Sequence, residues 1–281
     1  DDAGTVHVAW LEVTESAGGG HATLGQVFHV RSTDGGATFG APTALTGLVA
    51  DVGVPKLATA GGSVFAAWHQ MIGTRVQVMF ARSEDRGATW PSPALQLGQG
   101  TFPSIDAWWP GSGEPLVHVA WSDSQNAENH CEIYLASSTD AGRTFAAPVM
   151  VSEPDGLSSW TAAVASWDRT VHVAWTDERY NVDSSGLPYD CIVVGGGETC
   201  HEEEFYRRST DGGLTFPDPE VRLTSDPPGS PRWSWAPSIM ASHDDVHLAF
   251  FDARTGSFEI YYRRSRDGGA TWEGERCLTC A

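Results

Sequence analysis

The sequence predicts an all-β fold, a β-propeller of four-stranded antiparallel blades, on three observations. One octapeptide recurs five times along the 281 residues, and β-branched runs recur in phase with it. The chain also carries 31 glycines and 16 prolines, the turn residues that many short strands require. The five modules span about 1–50, 51–98, 99–153, 154–226 and 227–281, and together they read as one domain.

The octapeptide has the form S-x-D-x-G-x-T-[FW]. Its copies are Ser32 to Phe39, Ser83 to Trp90, Ser138 to Phe145, Ser209 to Phe216 and Ser265 to Trp272. Each reads as a rigid hairpin turn. The carboxylates of Asp34, Asp85, Asp140, Asp211 and Asp267 can accept backbone N–H groups within the turn, while the glycine takes a positive φ. The threonine returns the chain to strand geometry, and the last aromatic can plug a sheet interface.

Upstream of each octapeptide lies a β-branched run: Val6 to Trp10, Val64 to Trp68, Val117 to Trp121, Val171 to Trp175 and Val246 to Phe250. A third strand separates run from octapeptide, as at Gln26 to Arg31, and a short fourth strand follows it, as at Pro42 to Thr46. Leading strands are read at Pro55 to Ala58, Pro103 to Asp106, Thr161 to Ala165 and Pro237 to Ala241, which completes four strands per module. The first module lacks this innermost strand. That predicts further sequence before Asp1, and six or more blades if N-terminal sequence is missing. The histidines at His7, His118, His172 and His247, and the tryptophans closing four of the runs, repeat at packed positions and read as core.

Seventeen basic against 36 acidic residues give a net charge of −19, which argues against nucleic acid and anionic membranes as partners. No apolar run approaches the roughly 18 residues of a membrane helix. Lys56 is the only lysine, so cationic recognition here is arginine recognition. Of five cysteines, Cys191 and Cys200 flank a glycine-rich loop and are expected to form a disulfide. Cys277 and Cys280 suit a local or cross-chain disulfide, since Ala281 stands where a c-type haem site needs histidine, and Cys131 stands alone. Paired cysteines favour an extracellular, periplasmic or cell-surface location over a reducing one.

Strand order sorts the loops by face. The octapeptides join strands three and four, so loops between strands two and three emerge at the opposite end. The distances from the β-branched run to the octapeptide Asp are 24, 17, 19, 36 and 17 residues, which exposes an insertion in module four, about 176–204. Candidate ligand or catalytic groups cluster there: Asp177, Glu178, Arg179 and Tyr180, echoed by Asp252 and Arg254 in module five. Glu12, His69 and Asp123 hold the same place in modules one to three, and Arg232 and Trp233 enter module five on the same face. Arginines can clamp a carboxylate and the acids can move protons. An Asp-x-Arg pair repeated in register also reads as an internal salt bridge that fixes a loop. Asp183 and Asp190 are the weak calcium candidates, in a segment that otherwise reads as a solvated acidic lid, and no other cofactor is indicated.

The octapeptide is that of the Asp-box, or BNR repeat, and the whole chain resembles sialidase-superfamily propellers. The resemblance implies a ligand site on the face opposite the boxes. In an active sialidase it would imply three arginines on the substrate carboxylate, here Arg179, Arg232 and Arg254, with a Tyr nucleophile beside a Glu, here Tyr180 and Glu178. The Arg-Ile-Pro motif that the family places before its first box is absent. The leading expectation is therefore an extracellular module that binds a glycan or a protein without catalysis. A sialidase-like exo-glycosidase and a structural subunit of a larger assembly are the alternatives.

Overall fold

The computed structural model describes every residue except 2, 17–22, 124–129, 181–191, 195–196, 200, 225–231 and 281. The described residues contain no helix. They divide into two compact units, one of Asp1–Trp121 with Ala136–Pro148, the other of Ser122–Leu135 with Val149–Ala281.

In the first unit, β1 (Val6–Ser16) pairs with β2 (Thr23–Ser32), and β2 pairs in turn with the two-residue strands β3 (Thr43–Ala44) and β4 (Val49–Ala50). Among the described residues no strand pairs with the other edge of β1. The second blade runs in order through β5 (Lys56–Ala60), β6 (Ser63–Ile72), β7 (Arg75–Ser83) and β8 (Leu95–Gln99). A third sheet, whose residues are shared between the units, comprises β9 (Thr101–Trp108), β10 (Leu116–Asp123), β11 (Glu132–Ser138) and β12 (Val149–Met150).

The second unit holds the fourth and fifth blades. The fourth is β13 (Ser159–Trp167), β14 (Thr170–Asp177), β17 (His201–Ser209) and β18 (Val221–Arg222), with the ribbon β15 (Ile192–Val194) and β16 (Gly197–Thr199) between β14 and β17. The fifth is β19 (Arg232–Ser242), β20 (Asp245–Asp252), β21 (Glu259–Ser265) and β22 (Arg276–Cys277). A short parallel bridge, His201 to Arg232 and Glu202 to Trp233, joins these two blades.

All five octapeptides close alike. The serine hydroxyl donates to the Asp Oδ1 over 2.6–2.8 Å and accepts the glycine N–H at 2.8–2.9 Å. The threonine gives its N–H to Oδ1 and its hydroxyl to Oδ2. With both carboxylate oxygens hydrogen-bonded inside the turn, the turn is rigid, and the glycine accepts φ values of +71° to +93°. Four octapeptides also donate an N–H to the turn between strands one and two of their own blade: Arg86 to Gly62, Ala141 to Pro115, Gly212 to Arg169 and Gly268 to Asp244. The octapeptides and those turns therefore share one end of each blade.

Blades interlock through the same motif. His7 and His29 in blade one stack at 5.4 Å, and Trp90 of the second octapeptide meets His29 edge-on at 4.9 Å. Phe65 and Phe80 in blade two receive Phe145 edge-on at 4.8 Å. His172 and Tyr206 in blade four receive Trp272 at 5.0 Å. In each case the octapeptide glycine (Gly87, Gly142 or Gly269) lies so close to the receiving ring that a methyl group would overlap it. Trp68, Trp121 and Trp175 are buried as expected, whereas Trp10 is only half-buried and stacks on Phe28.

Candidate functional site

Strand two ends at the pole opposite the octapeptides, and its last residues are the sequence candidates. Asp177 closes β14 and is 1% exposed. It accepts the Trp175 indole N–H at 3.0 Å and the Ser159 hydroxyl at 3.1 Å. Arg179, two residues on, bonds back to both Asp177 oxygens at 2.7 and 2.6 Å, while its own N–H donates to Asp177 Oδ1. The same guanidinium reaches Glu220 at 2.6 Å and Asp155 at 3.2 Å, and lies 4.0 Å over the Phe205 ring.

Burial works against the Arg179 charge, but the bonds to Asp177 and Glu220 outweigh it and raise its pKa. The surrounding acids respond to crowding. Burial pushes up Glu220 and Asp155, the latter also through Asp177. Burial likewise carries Glu132, at the start of β11, to about 7, and the charges of Asp155, Asp177 and Glu220 add to the shift. Glu132 Oε2 accepts the Ser152 hydroxyl at 2.6 Å, while its buried Oε1 has no hydrogen-bond partner among the described residues.

Blade five repeats the device. Asp252 is fully buried, accepts the Ser234 hydroxyl at 2.9 Å and binds Arg254, which also binds Glu275 and lies over Tyr261. Tyr180 is 39% exposed, stacks on Phe205 at 6.4 Å and carries the Arg222 guanidinium 4.1 Å over its ring, while Arg222 pairs with Glu203. The structure thus brings Asp177, Arg179 and Tyr180 into one cluster on blade four. Glu178 places its N–H on the Ser158 carbonyl.

The remaining candidates are dispersed. Glu12 is exposed opposite Gln26 on β2. His69 accepts the Phe102 N–H at 3.2 Å, its ring edge meets Phe102 at 5.5 Å, and burial lowers its pKa. Asp123 is buried at the end of β10. Arg232 opens β19, and Trp233 beside it stacks on Phe258 at 5.6 Å. Asp183, Asp190 and the Cys191–Cys200 pair lie outside the described residues. Cys277 and Cys280 form a disulfide, and Cys131 is buried and free. Among the described residues, one three-group set, Glu259 with Cys277 and Cys280, has metal-ligand spacing, and its cysteines are joined to each other.

Sequence reasoning missed the partners that hold these arginines, namely Asp155, Glu220 and Glu275. It also missed a latch at the same end. Thr46, Ser152, Thr224 and Thr279 each accept the N–H of a strand-three residue (Val27, Ile133, Glu204 and Ile260) at 2.8–3.0 Å. Three of these hydroxyls donate to the preceding residue, Glu132, Glu203 or Glu259. The signal was present: a Ser or Thr after an apolar residue, at a nearly constant distance past four of the five octapeptide Asp residues, Asp85 excepted.

No family model matches the sequence. A sialidase of Bacteroides fragilis (strain YCH46) is 30% identical over 109 residues, covering 30% of this chain and 20% of that protein. The chain thus spans about a fifth of the length of this curated relative. A Hadza microbial sialidase matches 99% of this chain and 57% of its own at 16% identity and a TM-score of 0.59. A PL25 ulvan lyase matches 99% and 68% at 14% identity and 0.59. A Penicillium chrysogenum α-L-arabinanase, solved with arabinobiose, matches 81% and 66% at 17% identity and 0.53. With the blade topology, these likenesses make the fold a sialidase-like β-propeller.

Proposed function

Taking a sialidase-like β-propeller as the scaffold, we propose that this chain is a glycan-binding module whose contact surface is the blade end opposite the octapeptides, and that it favours neutral sugars. One observation carries the preference: the guanidiniums of Arg179 and Arg254 are each already bound by two or more carboxylates. Each is committed to a carboxylate of its own blade, and a net charge of −19 disfavours anionic ligands further. Support for a glycan as such comes from the sugar-acting proteins whose fold this chain shares. A secreted or cell-surface location belongs to the same reading.

A second reading, a sialidase-like exo-glycosidase, rests on the 109 residues aligned with a sialidase. In it Tyr180 is the nucleophile beside Glu178, and Arg179, Arg232 and Arg254 hold the substrate carboxylate. The two separate in one pair of assays. On a glycan array the protein should retain neutral oligosaccharides, and Tyr180→Ala should weaken that retention. A fluorogenic sialoside should be left intact. Turnover that disappears in Arg254→Ala would establish the enzyme instead.

A further inference from the structure

Within the second unit, four carboxyls meet one guanidinium at the blade end opposite the octapeptides, and the segment after β12 ties them together. Ser152 accepts the Ile133 N–H and donates to Glu132 Oε2 at 2.6 Å. The next residue, Glu153, gives its N–H to Glu220 Oε1 at 2.6 Å. Asp155 follows and pairs with Arg179 at 3.2 Å, and Arg179 also binds Glu220 Oε2 and Asp177 Oδ2, each at 2.6 Å. Three carboxylates thus share a single cation. The fourth carboxyl, Glu132, forms no ion pair among the described residues. It is 1% exposed, and its Oε1 has no hydrogen-bond partner among them either.

The set is short of positive charge. Even with Glu132 protonated, three carboxylates face one guanidinium, and a buried carboxyl oxygen without a donor is costly. Burial and the charges of Asp155, Asp177 and Glu220 carry Glu132 to about 7, so a cation beside it would draw off the proton and gain a charged partner. A metal ion is a poor match. Among the described residues the only three groups at metal-ligand spacing are Glu259, Cys277 and Cys280, on blade five. An ammonium needs less, since one or two carboxyl oxygens suffice for a compact donor of three N–H groups. Asp155 is exposed and gives the set its solvent side.

We propose that Glu132 and Asp155 form a subsite for the ammonium of an amino sugar carried on an otherwise neutral glycan. The inference rests on the glycan-binding reading and adds the sugar class to it. Isothermal titration with two matched probes tests it: N-acetylated chitotetraose, which is neutral, and its fully deacetylated form, which carries ammonium groups. The deacetylated probe should bind about tenfold more tightly, the worth of one charge-assisted hydrogen bond. Glu132→Gln should bring the two affinities level, and Asp155→Asn, at an exposed position, should narrow the gap. Glu114→Gln removes the same unit of charge from the turn between β9 and β10, at the octapeptide end. It should leave the gap intact, which separates a local site from the general attraction of an acidic protein for cations. Equal wild-type affinity for the two probes overturns the subsite and leaves the glycan-binding reading standing. A gap that survives Glu132→Gln, or one that closes in Glu114→Gln, does the same. A chain that binds neither probe also overturns the subsite, and the reading itself falls with it only if the glycan array is blank.

Discussion

At Gly269 the space for a side chain is already taken by the Tyr206 hydroxyl, and the backbone has a φ of +83°. Gly36 occupies the equivalent position with φ +93° but open surroundings. Replacing Gly36 by alanine should therefore cost only the backbone strain, about 1 kcal/mol, while Gly269→Ala should cost about 3 kcal/mol more through overlap with the ring. Urea unfolding of the two variants measures the difference directly. Arg179 poses the electrostatic counterpart. Arg179→Ala leaves Asp177, Asp155 and Glu220 facing one another without a cation. A loss of about 3 kcal/mol is expected, as for removal of one partner from a largely buried ion pair, and a near-neutral result would show that the acids relax or protonate instead.

Strands and turns were the most legible level of this molecule. Each octapeptide closes on contacts within eight residues, so the residues that build it stand next to each other in the sequence, and the strand-two runs stand out as short, β-branched, apolar stretches in phase with it. The ion-pair partners were illegible for the opposite reason. Asp155 and Glu220 reach Arg179 from separate connections, a juxtaposition that only the folded blades create. For Cys277 and Cys280 the sequence suited a local or a cross-chain disulfide, and they are bonded to each other. The aromatic plugs lead to a contrast between elements. Trp272→Ala empties the seat on Tyr206 and should cost on the order of 3–5 kcal/mol. Phe39→Ala, at an exposed tip, should change the stability of the monomer by no more than about 0.5 kcal/mol. Thermal melts of the two variants would compare them.

For the molecule as a whole, two sets of titrating groups set opposite slopes with pH. His7, His29, His118 and His172 are held neutral, chiefly by burial, with pKa values lowered to about 4 from 6.5. As pH falls through that interval the unfolded chain takes up protons that the fold refuses, so stability declines. Below it the octapeptide carboxylates act in the same direction, because the Ser and Thr bonds and backbone N–H groups hold Asp85, Asp140, Asp211 and Asp267 near 2 against 3.8, despite the opposing effect of burial at most of them. Glu132 runs the other way. Its folded pKa of about 7 exceeds the ordinary 4.5, so its contribution is complete below 4.5 and is lost as pH climbs to 7. Glu132→Gln should consequently raise the melting temperature relative to wild type more at pH 8 than at pH 5. Equal shifts at both values would mean that this carboxyl ionises normally in the native state.

The parallel bridge between β17 and β19 has a kinetic corollary. Because His201 and Glu202 are registered against Arg232 and Trp233 through the main chain, blades four and five form one continuous ladder, and neither can open without breaking backbone bonds to its neighbour. Their amides should lose protection against deuterium together, as a single cooperative block. Among the described residues no strand of blade one pairs with a strand of blade two; side chains join them, among them Trp90 on His29 and Arg31 on the Asp85 and Arg86 carbonyls, so those two blades should open as separate blocks.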